Sequence, residues 1–147
     1  MKSIAIICAF ALGFIIAQGI KTITFLATNR KLPLKDVVIY SFKSGGMPSG
    51  HSASFAAATT VIGFAEGFGS PLFALALCVF AIVVYDAVNV RYSVGEQGKA
   101  LTAIIKKHDP AAKTVKIVEG HTIPQVIIGT IIGILIGVII AKIALFC

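Results

Sequence analysis

Four long apolar runs constrain the fold of this chain more than any other feature of its sequence. Hydrophobic residues make up 57% of the chain and charged residues only 13%, whereas a soluble domain carries about 25% charged residues. Since about 20 apolar residues cross a bilayer as a helix, the sequence predicts an all-α, multi-pass integral membrane helix bundle. We expect a single membrane-embedded domain over residues 1–147, with about four transmembrane helices near Ile4–Ala27, His51–Phe68, Pro71–Val90 and Ile123–Phe146.

Two polar segments, Thr28–Gly50 and Arg91–Thr122, separate these spans. The second contains Leu101, Ile104 and Ile105 at helical spacing, which predicts a short amphipathic helix on the membrane surface. With four spans, both polar segments lie on the same side of the membrane, together with the span ends beside them. These ends carry nearly all the unusual polar residues, so one membrane face gathers the candidate chemistry: Gln18, Lys21, Arg30, Ser49, His51, Asp86, Asn89, Arg91, His121 and Gln125.

The net charge of +7 is concentrated in the same two polar segments. The positive-inside rule therefore predicts that they face the cytoplasm in a multi-pass protein of the cell membrane. The basic residues are not interleaved with aromatic residues, so we expect membrane lipids or phosphate substrates as partners and no nucleic acid. The three cysteines lack the spacing of metal ligands, and we expect neither a metal nor another cofactor.

The stretch GGMPSGHSAS, residues 45–54, places a histidine at the beginning of the second span. Ser49 is a candidate N-cap, and a helix N-terminus offers free N–H groups and a positive dipole end to an anion. His51 lies in the first turn and can donate or accept a proton near neutral pH. The alternative interpretation is a capping turn followed by a histidine at the membrane interface.

A second histidine, His121, precedes the fourth span, and Gln125 lies four residues later on the same helix face. Gly129, Gly133 and Gly137 continue this face, and such a row of glycines lets another helix pack closely. His121 by itself is equally typical of an interfacial histidine.

Two charged residues lie at membrane depth. A stripe of small residues on the first span leads to Lys21, which either enters a site or snorkels to the membrane surface. Asp86 lies near the end of the third span, and its predicted partner is Lys21 or Arg91. The sequence leaves open whether this ion pair is catalytic or purely structural.

Four fragments resemble the divergent branch of the type-2 phosphatidic acid phosphatase superfamily: GGMPSGHSA, YDAVNVR, GEQ and GHTIPQVIIG. Bacterial acid phosphatases and vanadium-dependent haloperoxidases are related to this superfamily. The resemblance covers nearly the whole chain from Gln18 onward. It implies a metal-independent hydrolase of phosphoric monoesters, such as a lipid phosphate.

The resemblance also implies a role for each matched residue. His121 corresponds to the histidine that attacks phosphorus, and His51 to the histidine that protonates the leaving group. The residues that correspond to phosphate binders are Lys21, Arg30, Ser49 and Gly50. A phosphoryl transition state needs such cations and N–H donors already in place.

The chain departs from the superfamily pattern at three points. Arg30 follows Lys21 at an unusual distance, Val115 stands where an arginine precedes the attacking histidine, and Gln125 stands where an aspartate follows it. We expect Arg91, held by Asp86, to replace the missing arginine. We expect Gln125 to orient His121 through its carbonyl oxygen.

Two functions are therefore consistent with the sequence. The first is a membrane phosphatase that hydrolyses a lipid-linked phosphate or diphosphate through a phosphohistidine intermediate. The alternative is a catalytically weak or inactive protein that binds phosphate or lipid head groups in transport or regulation. Because about four spans leave glycine faces free for self-association, we also expect a homodimer.

Overall fold

The computed structural model describes residues 1–28, 45–115, 117 and 120–146, and these residues form four helical segments. A π-helical turn, Asp86–Val90, makes Pro71–His108 one continuous segment. Three of the segments are long and apolar enough to cross a membrane, and the second is shorter. The predicted all-α membrane bundle is thus confirmed, with helices α1 (Lys2–Thr28), α2 (Gly50–Glu66), α3 (Pro71–Tyr85), α4 (Arg91–His108) and α5 (Ile123–Phe146).

Helix α2 lies at the centre of the bundle, where it packs against α1, α3 and α5. Its 17 residues extend about 26 Å at 1.5 Å per residue. Small side chains let neighbouring helices approach its backbone closely, and neighbours rather than lipid cover much of its surface. Its buried residues are Gly50, Ser52, Ala53, Ser54, Ala56, Ala57, Thr59, Val61 and Gly63.

Glycines on two other helices bring their backbones against α2. A β-carbon added at Gly133 would collide with the carbonyl oxygen of Ala53, and one added at Gly137 would lie 2.7 Å from that of Ala57. On α1, a β-carbon at Gly13 would lie 2.9 Å from the Ala53 oxygen. The predicted packing role of the α5 glycines is confirmed. Because α2 of the same chain fills this face, it gives no support to the predicted homodimer.

The helix ends meet in two groups. At one end of the bundle, Lys2 at the start of α1 pairs with Glu66 at the end of α2, with Nζ and Oε1 3.2 Å apart. At the other end, the Ser49 N–H donates to the carbonyl of Gln125 and the His121 N–H donates to that of Ala87. The start of α2, the π-helical turn and the start of α5 therefore come together, as the sequence predicts.

The sequence predicts that the third span ends near Val90 and that a polar segment begins at Arg91, but in the structure the chain continues there as helix to His108. The π-helical turn carries the helix past the polar residues that end the third span. The predicted short amphipathic helix is the later part of this 38-residue segment. At 1.5 Å per residue the segment is about 57 Å long, well beyond the bilayer core of about 30 Å.

Candidate active site

A cavity of about 390 Å³ lies where the second group of helix ends meets. Helix α1, the start of α2, the α3–π segment and the loop before α5 each contribute side chains to it. Its polar lining comes mostly from titratable groups, and its remaining lining is apolar or glycine. The residues that line the cavity are Phe14, Gln18, Lys21, Gly45, Pro48, Gly50, His51, Ile82, Val83, Asp86, Ala87, Arg91 and His121.

His121 lies directly before α5 and is only 8% exposed. Its Nδ1 atom is 3.1 Å from the carbonyl oxygen of Gly46 and 3.4 Å from Oε1 of Gln125. The Thr122 N–H donates to the same Gln125 oxygen at 3.0 Å. Since a backbone N–H can only donate, this contact identifies the Gln125 atom as the amide oxygen.

These contacts determine which ring nitrogen of His121 carries the proton. Both partners of Nδ1 are oxygen acceptors, so Nδ1 must be protonated to bond with either. In the neutral ring the proton is then absent from Nε2, which keeps its lone pair. A lone pair on Nε2 is what a nucleophilic histidine needs.

The environment of His121 also favours its neutral form. Burial lowers its pKa below the ordinary value of 6.5, because low-dielectric surroundings penalise the charged ring. The hydrogen bonds to Gln125 and Gly46 raise the pKa, and the nearby positive charges of His51 and Lys21 lower it. The net effect is a lowered pKa, so the ring is neutral at pH 7.

Three glycines place the loops around His121. Gly45 and Gly46 have φ values of 88° and 83°, in the left-handed region that glycine enters without steric cost. This conformation aims the Gly46 carbonyl at the histidine. A β-carbon added at Gly120 would collide with the backbone of Tyr92, so only glycine lets the loop approach the start of α4 this closely.

Asp86 and Arg91 form an ion pair across the π-helical turn, with Nε and Oδ2 2.5 Å apart. The Arg91 N–H donates to the Asp86 carbonyl, five residues earlier. In an α-helix, residues five apart are separated by about 140° around the axis, but a π-turn brings them onto one face. The turn therefore allows both side chains to line the same cavity.

The remaining cavity groups come from α1 and α2. Lys21 is 3% exposed and lines the cavity, so its side chain turns into the bundle rather than snorkelling outward. Gly50 is the first residue of α2, and its N–H and that of His51 have no acceptor within their own helix. The His51 ring is exposed to the cavity. This set combines cations, N–H donors and a proton donor around one space.

Comparison with known proteins identifies the family of this chain. A model of the Divergent PAP2 family matches residues 2–136. The chain belongs to the Divergent PAP2 family. It is also 34% identical, over 93 residues, to the uncharacterized membrane protein YuiD of Bacillus subtilis (strain 168). That match covers 63% of this chain and 56% of YuiD, so the chain spans little more than half of this relative. No solved structure matches the chain.

One predicted phosphate binder of this divergent PAP2 protein, Ser49, does not line the described cavity. Ser49 is fully buried as the N-cap of α2, where its Oγ accepts hydrogen bonds from the N–H and hydroxyl of Ser52. It does not contribute to the described cavity lining. Arg30 lies outside the described residues. The predicted residues that do line the cavity are Lys21, Gly50, His51, Asp86, Arg91 and His121, with Gln125 behind the histidine.

Sequence reasoning missed two parts of the site. It assigned no role to Gly46, whose carbonyl holds His121, although consecutive glycines before a helix are a signal for left-handed backbone. It noted Gln18 as unusual without assigning it to the site, yet Gln18 lines the cavity. The described residues contain no cluster of three His, Cys, Asp or Glu side chains that could act as metal ligands.

Proposed function

We propose that this divergent PAP2 protein is a membrane phosphatase that hydrolyses a lipid-linked phosphate or diphosphate through a phosphohistidine intermediate. One observation carries the proposal. Two oxygen acceptors hold Nδ1 of His121, which leaves Nε2 with its lone pair in a cavity that also contains His51 and Lys21.

In the first step, Nε2 of His121 attacks phosphorus and the ester P–O bond breaks. The leaving oxygen takes a proton from His51, as general acid catalysis requires. In the second step, a water molecule attacks the phosphorus bonded to Nε2, and His51 takes up the proton that this water loses. The N–P bond breaks, inorganic phosphate leaves, and both histidines return to their starting states.

The other cavity groups would stabilise the phosphate oxygens. Lys21 and Arg91 supply positive charge, and the N–H groups at the start of α2 supply hydrogen bonds at the positive end of a helix dipole. Asp86 holds Arg91 in place through their ion pair. Preorganised charge of this kind lowers the barrier because it needs no reorganisation during the reaction.

The cell membrane, with the site on its cytoplasmic side, is the location that the charge distribution favours. Basic residues of the described chain at the site end include Lys99, Lys106, Lys107 and Lys113, whereas the other end carries Lys2 and Lys142. Positive residues are retained preferentially on the cytoplasmic side of membrane proteins. Membrane lipids and a lipid phosphate are the proposed partners.

A second candidate function is binding of phosphate head groups without turnover. Gln125 favours it, because a neutral amide stabilises a positively charged imidazole less than a carboxylate does. The Ser49 hydroxyl favours it as well, since this group caps α2 and is not directed to the cavity. In that case the protein would recognise a lipid phosphate in transport or regulation.

Phosphate release by the purified full chain in detergent tests the proposal. A panel of lipid phosphates and diphosphates is incubated with the unmodified protein, His121→Ala and His51→Ala. Acid quenching destroys phosphohistidine, so the covalent intermediate is sought after alkaline quenching by mass spectrometry of the peptide that contains His121. We expect release and the adduct with the unmodified protein, and neither with His121→Ala.

His108→Ala is the matched control, because His108 is exposed at the end of α4 and does not line the cavity. It should retain full activity. Saturable binding of a lipid phosphate by a folded protein, with neither phosphate release nor an adduct, would replace the phosphatase with the head-group binding function.

A further inference from the structure

The candidate active-site cavity has two chemically different ends. Its polar groups lie at the helix ends, but Phe14 on α1 and Ile82 on α3 also line it. Phe14 precedes Gln18 by four residues and Ile82 precedes Asp86 by four. Each apolar residue is therefore about 6 Å, one helical turn, further from the helix end than its polar neighbour. A cavity with this lining matches a molecule with a charged head and an apolar body.

The apolar end of this cavity reaches the outer surface of the bundle. Helix α1 packs against α2 and α5, and α3 packs against α2, but in the described structure α1 and α3 share no comparable packing surface. Phe14 is 37% exposed and Ile82 is 68% exposed, although both line the cavity. The space between α1 and α3 is therefore a side opening toward the lipid, which we call the α1–α3 portal.

We infer that the hydrocarbon chain of a lipid phosphate occupies the α1–α3 portal, with Phe14 and Ile82 as its walls and the phosphate at His121. The inference rests on the proposed function for the chemistry at the phosphate end. Apolar contact of the hydrocarbon chain with Phe14 and Ile82 holds the substrate, while the phosphate head group stays among Lys21, His51 and Arg91.

A second apolar groove on the bundle is the alternative site for the hydrocarbon chain of the lipid. It lies between α3 and α5, has a volume of about 580 Å³ and is lined by residues including Leu77, Phe80 and Ile127. It has no charged lining residue and shares no lining residue with the active-site cavity. A lipid seated there would have no cation for its phosphate, so the portal is the better match for a phosphate-bearing lipid.

Narrowing the portal should separate lipid substrates from water-soluble ones. The test compares kcat/KM of Ile82→Trp and the unmodified full chain in detergent, for phosphatidic acid and for p-nitrophenyl phosphate. We expect the ratio of kcat/KM for phosphatidic acid to kcat/KM for the small ester to fall about tenfold or more, because only phosphatidic acid has a hydrocarbon chain to place in the portal.

Ile15→Trp is the matched control, because Ile15 is 62% exposed on α1 beside Phe14 but does not line the cavity. It should change neither value. Equal losses with both substrates in Ile82→Trp, or no loss with either, would overturn the portal while leaving the phosphatase proposal intact. If the unmodified protein hydrolyses neither substrate, the panel of lipid phosphates and diphosphates decides the phosphatase proposal, and crosslinking decides the portal alone.

For crosslinking, the full chain is reconstituted with phosphatidic acid that carries a diazirine in its acyl chain. After illumination, the adducts are located by mass spectrometry. We expect adducts near Phe14 and Ile82, reduced by excess unlabelled phosphatidic acid and not by phosphatidylcholine. Adducts concentrated near Phe80 and Ile127, or spread over the bundle without competition, would overturn the inference.

Discussion

The Nδ1 atom of His121 lies 3.1 Å from the carbonyl oxygen of Gly46, a residue 75 positions earlier in the chain. A backbone carbonyl does not titrate, so it accepts a hydrogen bond from the Nδ1–H group at every pH at which the protein is folded. The left-handed backbone of Gly46 aims this carbonyl at the ring. Gln125 provides a second, longer contact to the same nitrogen, and the two acceptors can be tested separately.

Substitutions at Gln125 should move the acid limb of the pH–rate profile in opposite directions. His121 must be neutral to attack, so activity falls as pH falls through its pKa, which lies below 6.5. In Gln125→Glu a carboxylate faces Nδ1, stabilises the charged ring and raises the pKa. The acid limb of kcat/KM should then shift to higher pH.

Gln125→Leu is the counterpart, because it removes a hydrogen bond that raises the pKa of His121. Its acid limb should shift to lower pH while the Gly46 contact still holds the ring. Identical acid limbs in the unmodified protein and both variants would mean that His121 is not the group that titrates.

Arg91→Lys should weaken substrate binding more than it lowers the free energy of unfolding. Lysine keeps the charge but loses the planar fork that can bond Asp86 and a phosphate together. We expect the KM for a lipid phosphate to rise about tenfold, or 1.4 kcal/mol. Both side chains of the ion pair are about two-fifths exposed, at 42% and 39%, so the free energy of unfolding should change by less than about 1 kcal/mol.

Lys99→Ala is the control for Arg91→Lys, since Lys99 pairs with Glu96 on the same segment and does not line the cavity. Its KM should be unchanged. An unchanged KM in Arg91→Lys and in Arg91→Ala would remove Arg91 from the phosphate site.

Lys21→Met should weaken the binding of inorganic phosphate. Lys21 is buried and brings a positive charge to the cavity, and a hydrogen bond to a charged group contributes about 1.5–3 kcal/mol. The Kd for phosphate, measured by calorimetry, should therefore rise roughly ten- to hundredfold. Lys2→Met changes the same residue type at the other end of α1, where Lys2 pairs with Glu66, and should leave this Kd unchanged.

Gly133→Ala should destabilise the bundle. The added methyl group would collide with the backbone carbonyl of Ala53, and backbone cannot move aside as a flexible side chain does. Overpacking of this kind costs about 1–3 kcal/mol, which thermal unfolding in detergent can detect. Gly19→Ala on α1 is the matched control, because a β-carbon there meets nothing within 4 Å. Equal unfolding temperatures for the two variants would contradict the close α2–α5 contact.

The sequence predicts the bounds of a helix well where a long apolar run crosses the bilayer. The predicted fourth span, Ile123–Phe146, coincides with α5, and the first falls within α1, because a long apolar run has few alternatives in a bilayer. The stripe of small residues on α1 is buried as expected and ends at Lys21. The meeting of polar helix ends follows from counting the spans.

Three features of the site are not predicted by the sequence alone, each for a different reason. The π-helical turn has no composition signal, and without it Asp86 and Arg91 would not share a face. The Gly46–His121 contact joins two loops whose separation only the packed helices determine. For Ser49, capping of α2 and phosphate binding are equally compatible with the motif, and the structure places its hydroxyl in the cap.

The central position of α2 also affects how the chain enters the membrane during its synthesis. A helix rich in serine, threonine and alanine is a weak insertion signal compared with α3 or α5. Of the three helices that pack against it in the described structure, α1 alone precedes it in the chain. The ribosome reaches the glycine face of α5 only after α2, α3 and α4 have been made. Among the described helices, the small-residue face of α1 is thus the first surface against which a newly made α2 can be held in the bilayer.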